Sequence, residues 1–221
     1  MKLLLNALVK FICGLMLVGL LIFLPAGTFK YTNGWIFIGL LFIPVFIMGL
    51  LLFIKEPDVL KKRLNGKEKE NTQKGVVAFS ALIFLVGFIV AGLDFRFGWT
   101  YVPKTVTIIA SVLFLVAYIL YAEVIRENKY LSRTIEVQEN QRVVDTGLYK
   151  IVRHPMYMAT ILLFLMIPLI LGSWISFIIF LFYPVIIAFR IKNEEQILAE
   201  QLNGYKEYKQ KVKYKIIPFI W

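Results

Sequence analysis

The sequence predicts an all-α fold, a polytopic transmembrane helical bundle of about six membrane segments, from three observations. Hydrophobic residues make up 59% of the 221 residues, and the mean hydropathy of +0.75 is far higher than a soluble domain needs for its core. Five long runs of the chain contain neither charged residues nor histidine. Basic residues gather in the stretches between these runs. Such a chain has to be solvated by lipid.

The last charge-free run is too long for a single span. Pro155 to Phe189 comprises 35 residues, about 52 Å of helix at ~1.5 Å per residue, whereas the hydrocarbon core is about 30 Å thick. We expect a reversal at Gly172-Ser173, because glycine tolerates the angles of a helix stop and serine can cap the next helix. Pro168 and Pro184 predict a short, kinked hairpin. The predicted spans are Leu3–Leu24, Trp35–Ile54, Val76–Leu93, Thr105–Ala122, Met156–Leu171 and Trp174–Phe189.

The distribution of the net charge of +11 indicates topology. Of 25 lysines and arginines, seven lie in residues 55–74, six in 126–153 and seven in 190–215, with two more at Lys2 and Lys10. With six spans, these 22 fall on one side of the membrane and the other 3 on the opposite side. This positive-inside bias predicts that both termini and any site on that side are cytoplasmic. We therefore expect membrane lipids and no nucleic acid as partners.

The chain divides into two unequal regions. Residues 1–122 form four spans joined by short loops, and we interpret residues 55–74 as a solvated loop that touches anionic lipid headgroups. Residues 123–221 hold most of the charged side chains that could do chemistry. Within them, residues 133–144 alternate as a small β-hairpin would, with a turn at Glu139-Asn140. We expect this insert to shape a site, because it is longer than a simple connection requires.

A polar stretch, G-L-Y-K-I-V-R-H-P-M-Y, leads from residue 147 into the fifth span. Pro155 fits the first position of a helix, which would place exposed amide donors and the positive end of the helix dipole beside Arg153 and His154. An anion would bind there. The alternative is a basic anchor at the membrane interface, with Tyr149 and Tyr157 in the aromatic belt.

The sixth span ends in R-I-K-N-E-E, residues 190–195, at the same membrane surface. Arg190 and Glu194 are four residues apart and share one helix face. Two adjacent carboxylates beside anionic lipid call for a cationic partner. The alternative is an ordinary ion pair with Arg190 or Lys192. Together the two segments offer groups for an anion and for a cation, which suits a zwitterionic amino acid moiety.

These motifs resemble the carboxy-terminal half of the isoprenylcysteine carboxyl methyltransferases, a family related to the phospholipid N-methyltransferases. The resemblance covers about residues 118–221 and rests on R-H-P-x-Y and R-x-x-x-E-E, followed by Leu198, Tyr205, Tyr208 and the terminal I-I-P-F-I-W. It implies S-adenosyl-L-methionine as the cofactor, bound at the cytoplasmic edge of the membrane. It also implies a hydrophobic or lipid-linked methyl acceptor that enters sideways from the bilayer.

The resemblance implies roles for individual residues. Arg190 and Glu195 look like the catalytic arginine and glutamate that the family places where cofactor and substrate meet. Glu194 would face the ammonium group of the methionyl moiety. Tyr205 and Tyr208 would belong to a C-terminal helix that closes over the cofactor. The other cofactor-binding residues implied are Tyr149, Arg153, His154, Pro155 and Tyr157.

Methyl transfer to a carboxylate needs positioning and desolvation more than proton transfer, because this nucleophile is already ionised at pH 7. We therefore expect no metal. Arg190 is the preferred candidate for orienting a substrate carboxylate, because a guanidinium is a planar, two-pronged donor. Arg153 and Lys192 are the alternatives for this role.

Three functions stay open at this point. The first is carboxyl O-methylation of an isoprenylcysteine-like substrate, and the second is methylation of a phospholipid amine, a small hydrophobic amine or a thiol. The third is a transporter or scaffold without chemistry. The third is disfavoured, because the predicted spans contain almost no ionisable residues.

Overall fold

The computed structural model describes residues 2–64, 71–131 and 137–221. These ranges form nine α-helices and one short 3-10 helix, without a strand. The α-helices are α1 (Lys2–Ala26), α2 (Thr32–Lys55), α3 (Pro57–Leu64), α4 (Asn71–Phe97), α5 (Lys104–Glu127), α6 (Pro155–Leu171), α7 (Trp174–Phe180), α8 (Phe182–Gln201) and α9 (Tyr205–Lys211). The 3-10 helix, Gly147–Lys150, precedes α6.

Five segments of the described chain are long and apolar enough to cross a membrane. They are α1, α2, α4, α5 and the combined segment of α7 and α8. The 17-residue helix α6 is apolar but shorter. The predicted all-α bundle is therefore confirmed, with α6 and the α7–α8 segment as its last hairpin. The protein is a multi-pass membrane protein.

The hairpin reverses where the sequence predicts. Gly172 ends α6 with a φ of 85°, in the left-handed region that glycine adopts without a steric penalty. The Ser173 side chain then accepts a hydrogen bond from the Ser176 N–H and caps α7. The second arm breaks between Phe180 and Phe182. Pro184 explains this break, since a proline ring clashes with the carbonyl four residues earlier, that of Phe180.

A buried carboxylate fastens this reversal to the rest of the bundle. Asp94, near the end of α4, accepts hydrogen bonds from the Thr100 main chain at 2.7 Å and from the Ser173 hydroxyl. The Tyr31 hydroxyl donates to the carbonyl of Leu171 at the end of α6. These contacts hold the reversal at a fixed height, which sets where the other ends of α6 and α8 meet.

The interpretation of residues 55–74 as a solvated loop is wrong for residues 57–64, which form α3, and for residues 71–74, which begin α4. Pro57 at the first helical position and the acidic Asp58 beside it favour a helix start there. Val59 and Leu60 are buried. Val59 packs in a cluster that includes Tyr149, so α3 is docked against the carboxy-terminal region. Residues 65–70 lie outside the described residues.

The predicted β-hairpin is replaced by an irregular segment where the structure describes it. Its arm at residues 133–136 lies outside the described residues, and residues 137–138 and 141–145 form no strand. The turn at Glu139-Asn140 is present, with the Gln141 N–H donating to the Gln138 carbonyl at 3.1 Å. The Gln138 side chain also donates to the Tyr130 carbonyl at 2.6 Å. Among the described residues, this insert is therefore held by side-chain contacts and not by the main-chain ladder of a β-hairpin.

Candidate functional site

A cavity opens at the side of the bundle where α5 and α8 end and α6 begins; we call it the polar cavity. Its empty volume, counted with its open mouth, is about 850 Å³. Eight of the ten predicted site residues line it, namely Tyr149, Arg153, His154, Tyr157, Arg190, Glu194, Tyr205 and Tyr208. The side chains of Pro155 and Glu195 are not among its lining residues.

Tyr157 is the point of contact between the two predicted motifs. Pro155 opens α6 as its first residue, which places Tyr157 in the first turn of the helix. The Tyr157 hydroxyl accepts a hydrogen bond from the Arg190 guanidinium and donates one to the Glu194 carboxylate, each at 2.7 Å. Tyr157 and Arg190 are both buried, whereas Glu194 is half-buried. This chain of hydrogen bonds fixes the orientation of all three side chains.

Glu195 points into a different environment from Glu194. Glu195 as a whole is 4% exposed to solvent. It accepts from Arg153 at 2.6 Å and lies 3.2 Å from a ring nitrogen of His154. Its second oxygen is 3.3 Å from the ammonium of Lys209. Arg153 and His154, which the sequence analysis expected to bind an external anion, thus already contact an internal one.

The segment after α9 completes the surroundings of Arg153. The Arg153 guanidinium donates to the carbonyls of Val212 and Lys213 at 2.6 and 2.8 Å. The main-chain N–H groups of Arg153 and His154 donate to the carbonyls of Tyr214 and Lys215 at 2.9 and 2.8 Å. Arg153 therefore joins the start of α6, the end of α8 and the C-terminal segment.

Three buried tyrosines form one wall of the polar cavity. The Tyr208 hydroxyl donates to the Tyr149 carbonyl at 2.8 Å, and Asn128 donates to the Tyr149 hydroxyl at 2.9 Å. Burial raises the pKa of Tyr149 to about 12 and also raises the pKa values of Tyr205 and Tyr208. All three phenols are therefore neutral at physiological pH. Tyr149 and Tyr157 are both buried, which disfavours their interpretation as exposed interface anchors.

The hydroxyl of Tyr205 is a buried polar group without a hydrogen-bond partner in the part of the chain that the structure describes. Tyr205 is 4% exposed and lines the polar cavity. Its hydroxyl has no hydrogen-bond partner among the described residues. A buried hydroxyl without a partner costs about 1–3 kcal/mol, so this atom marks a position where a ligand or water would bind.

A second cavity lies between α4, α6 and α8, beside α3 and α5; we call it the interhelical cavity. Its empty volume is about 990 Å³. Met156, Tyr157 and Arg190 line this cavity and the polar cavity alike. Its other lining residues are the apolar Val76, Val77, Ala81, Phe84, Phe164 and Ile187 and the polar Arg63, Ser80, Tyr121, Thr160 and Tyr183. No carboxylate is among these described lining residues.

Sequence reasoning missed several residues that line the two cavities. Arg63 was assigned to a loop, although Pro57-Asp58 could have indicated a helix start. Arg142 and Asn128 also line the polar cavity, and no motif points to them. The folded path of the insert brings Arg142 to this site, whereas Asn128 caps the C-terminal end of α5.

The comparison with protein families agrees with this arrangement. Residues 105–204 match the model of a family described as phospholipid methyltransferase. The matched stretch includes both predicted motifs and covers just under half of the chain. Among curated proteins, the search finds no match to the chain.

The bundle and the matched stretch together define a membrane-embedded methyltransferase. Residues 105–204 are similar to the phospholipid methyltransferase family, which includes the isoprenylcysteine carboxyl methyltransferases. The family resemblance predicted from the sequence is thus confirmed. Tyr205, Tyr208 and Arg63 lie outside the matched residues.

The contacts of the two adjacent glutamates predict different effects of their substitution. Glu195→Gln removes the anion that compensates buried Arg153, and an unpaired buried charge costs about 3–5 kcal/mol. We expect a clear fall in the thermal unfolding temperature in detergent and faster proteolysis after α8. Glu194→Gln, the matched control on the same helix, should change stability little, because Glu194 is half-buried. Equal unfolding temperatures for the two variants would contradict this assignment.

Proposed function

We propose that this protein transfers a methyl group from S-adenosylmethionine to the carboxylate of a hydrophobic or lipid-linked acceptor, as in carboxyl O-methylation of an isoprenylcysteine-like substrate. One observation carries the proposal: Tyr157 and Arg190 line both cavities. The polar cavity offers polar and aromatic groups for a cofactor, and the interhelical cavity offers largely apolar walls for an acceptor. A reaction between two bound molecules requires such a shared boundary.

The residues of the polar cavity fit S-adenosylmethionine. The Glu194 carboxylate would bind the methionyl ammonium, and the Tyr205 hydroxyl, which has no partner among the described residues, would supply a further hydrogen bond. Leu198 and Leu202 beside the tyrosines give the nucleoside an apolar and aromatic wall. When bound, S-adenosylmethionine supplies an electrophilic methyl group.

The interhelical cavity favours a carboxylate acceptor. The charged groups among its described lining residues are both arginines, Arg63 and Arg190. Arg190 is held by the Tyr157 hydroxyl at 2.7 Å, so its planar fork is pre-organised for a carboxylate. Arg153 is occupied with Glu195, and Lys192 is exposed and lines neither cavity. Arg190 is therefore the preferred catalytic residue for orienting the acceptor.

Glu195 fits a positioning role in this scheme. Its carboxylate holds Arg153 and His154, which line the polar cavity. Pro155 fixes the start of α6 between His154 and Tyr157 without lining the cavity. Both residues would act on the cofactor through their neighbours.

We also propose that both termini and the polar cavity face the cytoplasm. With six spans, the basic stretches of the sequence, which hold 22 of the 25 lysines and arginines, would fall on the side of the membrane where this cavity opens. Short basic segments between spans are retained on the cytoplasmic side during insertion. Membrane lipids would surround the interhelical cavity and give a lipophilic acceptor direct access.

Calorimetric titration of S-adenosylmethionine and of its demethylated product tests the cofactor site. We expect wild-type protein in detergent to bind both, and Glu194→Ala to lose binding because the ammonium loses its anion. Tyr205→Phe should weaken binding about fivefold to hundredfold through loss of one buried hydrogen bond. Glu200→Ala, which removes an exposed carboxylate from the same helix, is the control and should bind as wild type. Folded wild-type protein that binds neither compound would overturn the proposal.

The name of the matched family favours a second candidate, methylation of a phospholipid amine. An amine must lose a proton before it attacks, so its methylation rate would rise with pH through the amine pKa. For a carboxylate acceptor we expect a rate that stays flat from about pH 6 to 8, because carboxylates are already ionised there. Initial rates with a farnesylated cysteine and with phosphatidylethanolamine vesicles distinguish the two. A rate seen only with the amine and rising with pH would select the second candidate.

A further inference from the structure

We infer that Arg63, a residue of the amino-terminal region outside the family match, binds the anionic group of the methyl acceptor together with Arg190. This inference rests on the proposed function and deepens it. It assigns a specificity role to α3, a helix between the second and third of the long apolar segments. The acceptor class is an amphiphile with one carboxylate and an apolar tail.

The position of Arg63 is fixed by the packing of α3. Val59 and Leu60 are each 6% exposed, and Val59 packs with Val124, Ile125 and Tyr149. On the exposed side of the helix, Lys62 donates to the Gln138 side chain of the insert at 2.6 Å. A short helix anchored on two sides presents its last turn, which contains Arg63, in a defined place.

Tyr121 of α5 orients the Arg63 side chain. Arg63 donates a hydrogen bond to the Tyr121 hydroxyl. The guanidinium carbon lies 5.1 Å from the centre of the Tyr121 ring, within the range of a cation–π interaction. Both residues line the interhelical cavity. A half-buried guanidinium held in this way is pre-organised for planar, bidentate contact with a carboxylate.

The guanidinium groups on the interhelical cavity suit an anionic group of the acceptor. Arg63 and Arg190 lie on its lining, most of the remaining wall is apolar, and no carboxylate is among the described lining residues. A carboxylate bound in this cavity could accept hydrogen bonds from guanidinium groups on its wall. Since Arg190 also lines the polar cavity, a carboxylate between the two arginines would lie at the boundary with the cofactor. The apolar tail would then extend along Phe84 and Phe164.

The test uses the full-length protein in detergent with saturating S-adenosylmethionine and N-acetyl-S-farnesylcysteine as the carboxylate probe. Arg63→Met should raise the KM for the probe about tenfold to hundredfold through loss of charged hydrogen bonds. Arg63→Lys keeps the positive charge but loses the planar, bidentate guanidinium. Its KM should lie between those of Arg63→Met and wild type. The Kd of S-adenosylmethionine should stay the same in both variants. Lys61→Met, which removes one exposed charge from the same helix, is the matched control and should leave the KM unchanged.

Competition with the carboxamide of the same probe separates recognition from general damage to the fold. Wild type should bind the carboxylate better than the carboxamide, and Arg63→Met should lose that preference. An unchanged KM and an unchanged preference in Arg63→Met would overturn the role of Arg63 while leaving the proposed function intact. A rise in the KM of Lys61→Met equal to that of Arg63→Met would also overturn it. Wild type that neither binds S-adenosylmethionine nor methylates the probe would reject the proposed function itself.

Discussion

The hydrogen bonds from Arg190 to Tyr157 and from Tyr157 to Glu194 join two helices that run in opposite directions through the bundle. They form only if α6 starts at the height where α8 reaches the same surface. The reversal at Gly172-Ser173, held by Asp94 at the far side of the bundle, sets this height. The position of the site is thus determined by a turn at the opposite end of the hairpin. The position of Tyr157 then fixes the boundary between the two cavities, because Tyr157 lines both of them.

Helix geometry explains why the adjacent glutamates have different surroundings. Consecutive residues of an α-helix point about 100° apart, so Glu194 turns toward Tyr157 while Glu195 turns toward Arg153. Glu194 remains at the edge of the polar cavity and can bind a ligand. Glu195 is buried by Arg153, His154 and the C-terminal segment, which its charge helps to hold. One acidic pair therefore provides a ligand group on one face and a structural anchor on the next.

Much of the fold could be predicted because lipid solvation and helix caps act locally along the sequence. The spans, the reversal at Gly172-Ser173 and the helix start at Pro155 follow from hydropathy and from glycine, serine and proline preferences. The docking of α3 could not be predicted in the same way, because it depends on contacts of Val59 with residues far away in the chain. The partners of Glu195 come from two separate segments, residues 153–154 before α6 and Lys209 of α9, and hydropathy gives no signal for them. Local sequence patterns predict the helices and their ends, whereas long-range packing determines which charged side chains face a ligand.

In the proposed function, cofactor and acceptor meet at Tyr157 and Arg190. Its most direct test is an experimental structure of the protein with the demethylated cofactor product and N-acetyl-S-farnesylcysteine bound together. For the proposed function we expect the methionyl ammonium within hydrogen-bond distance of Glu194, the acceptor carboxylate beside Arg190 and the farnesyl chain in the interhelical cavity. Both ligands bound elsewhere, or an acceptor carboxylate remote from Arg190 while the cofactor product lies beside Glu194, would contradict it.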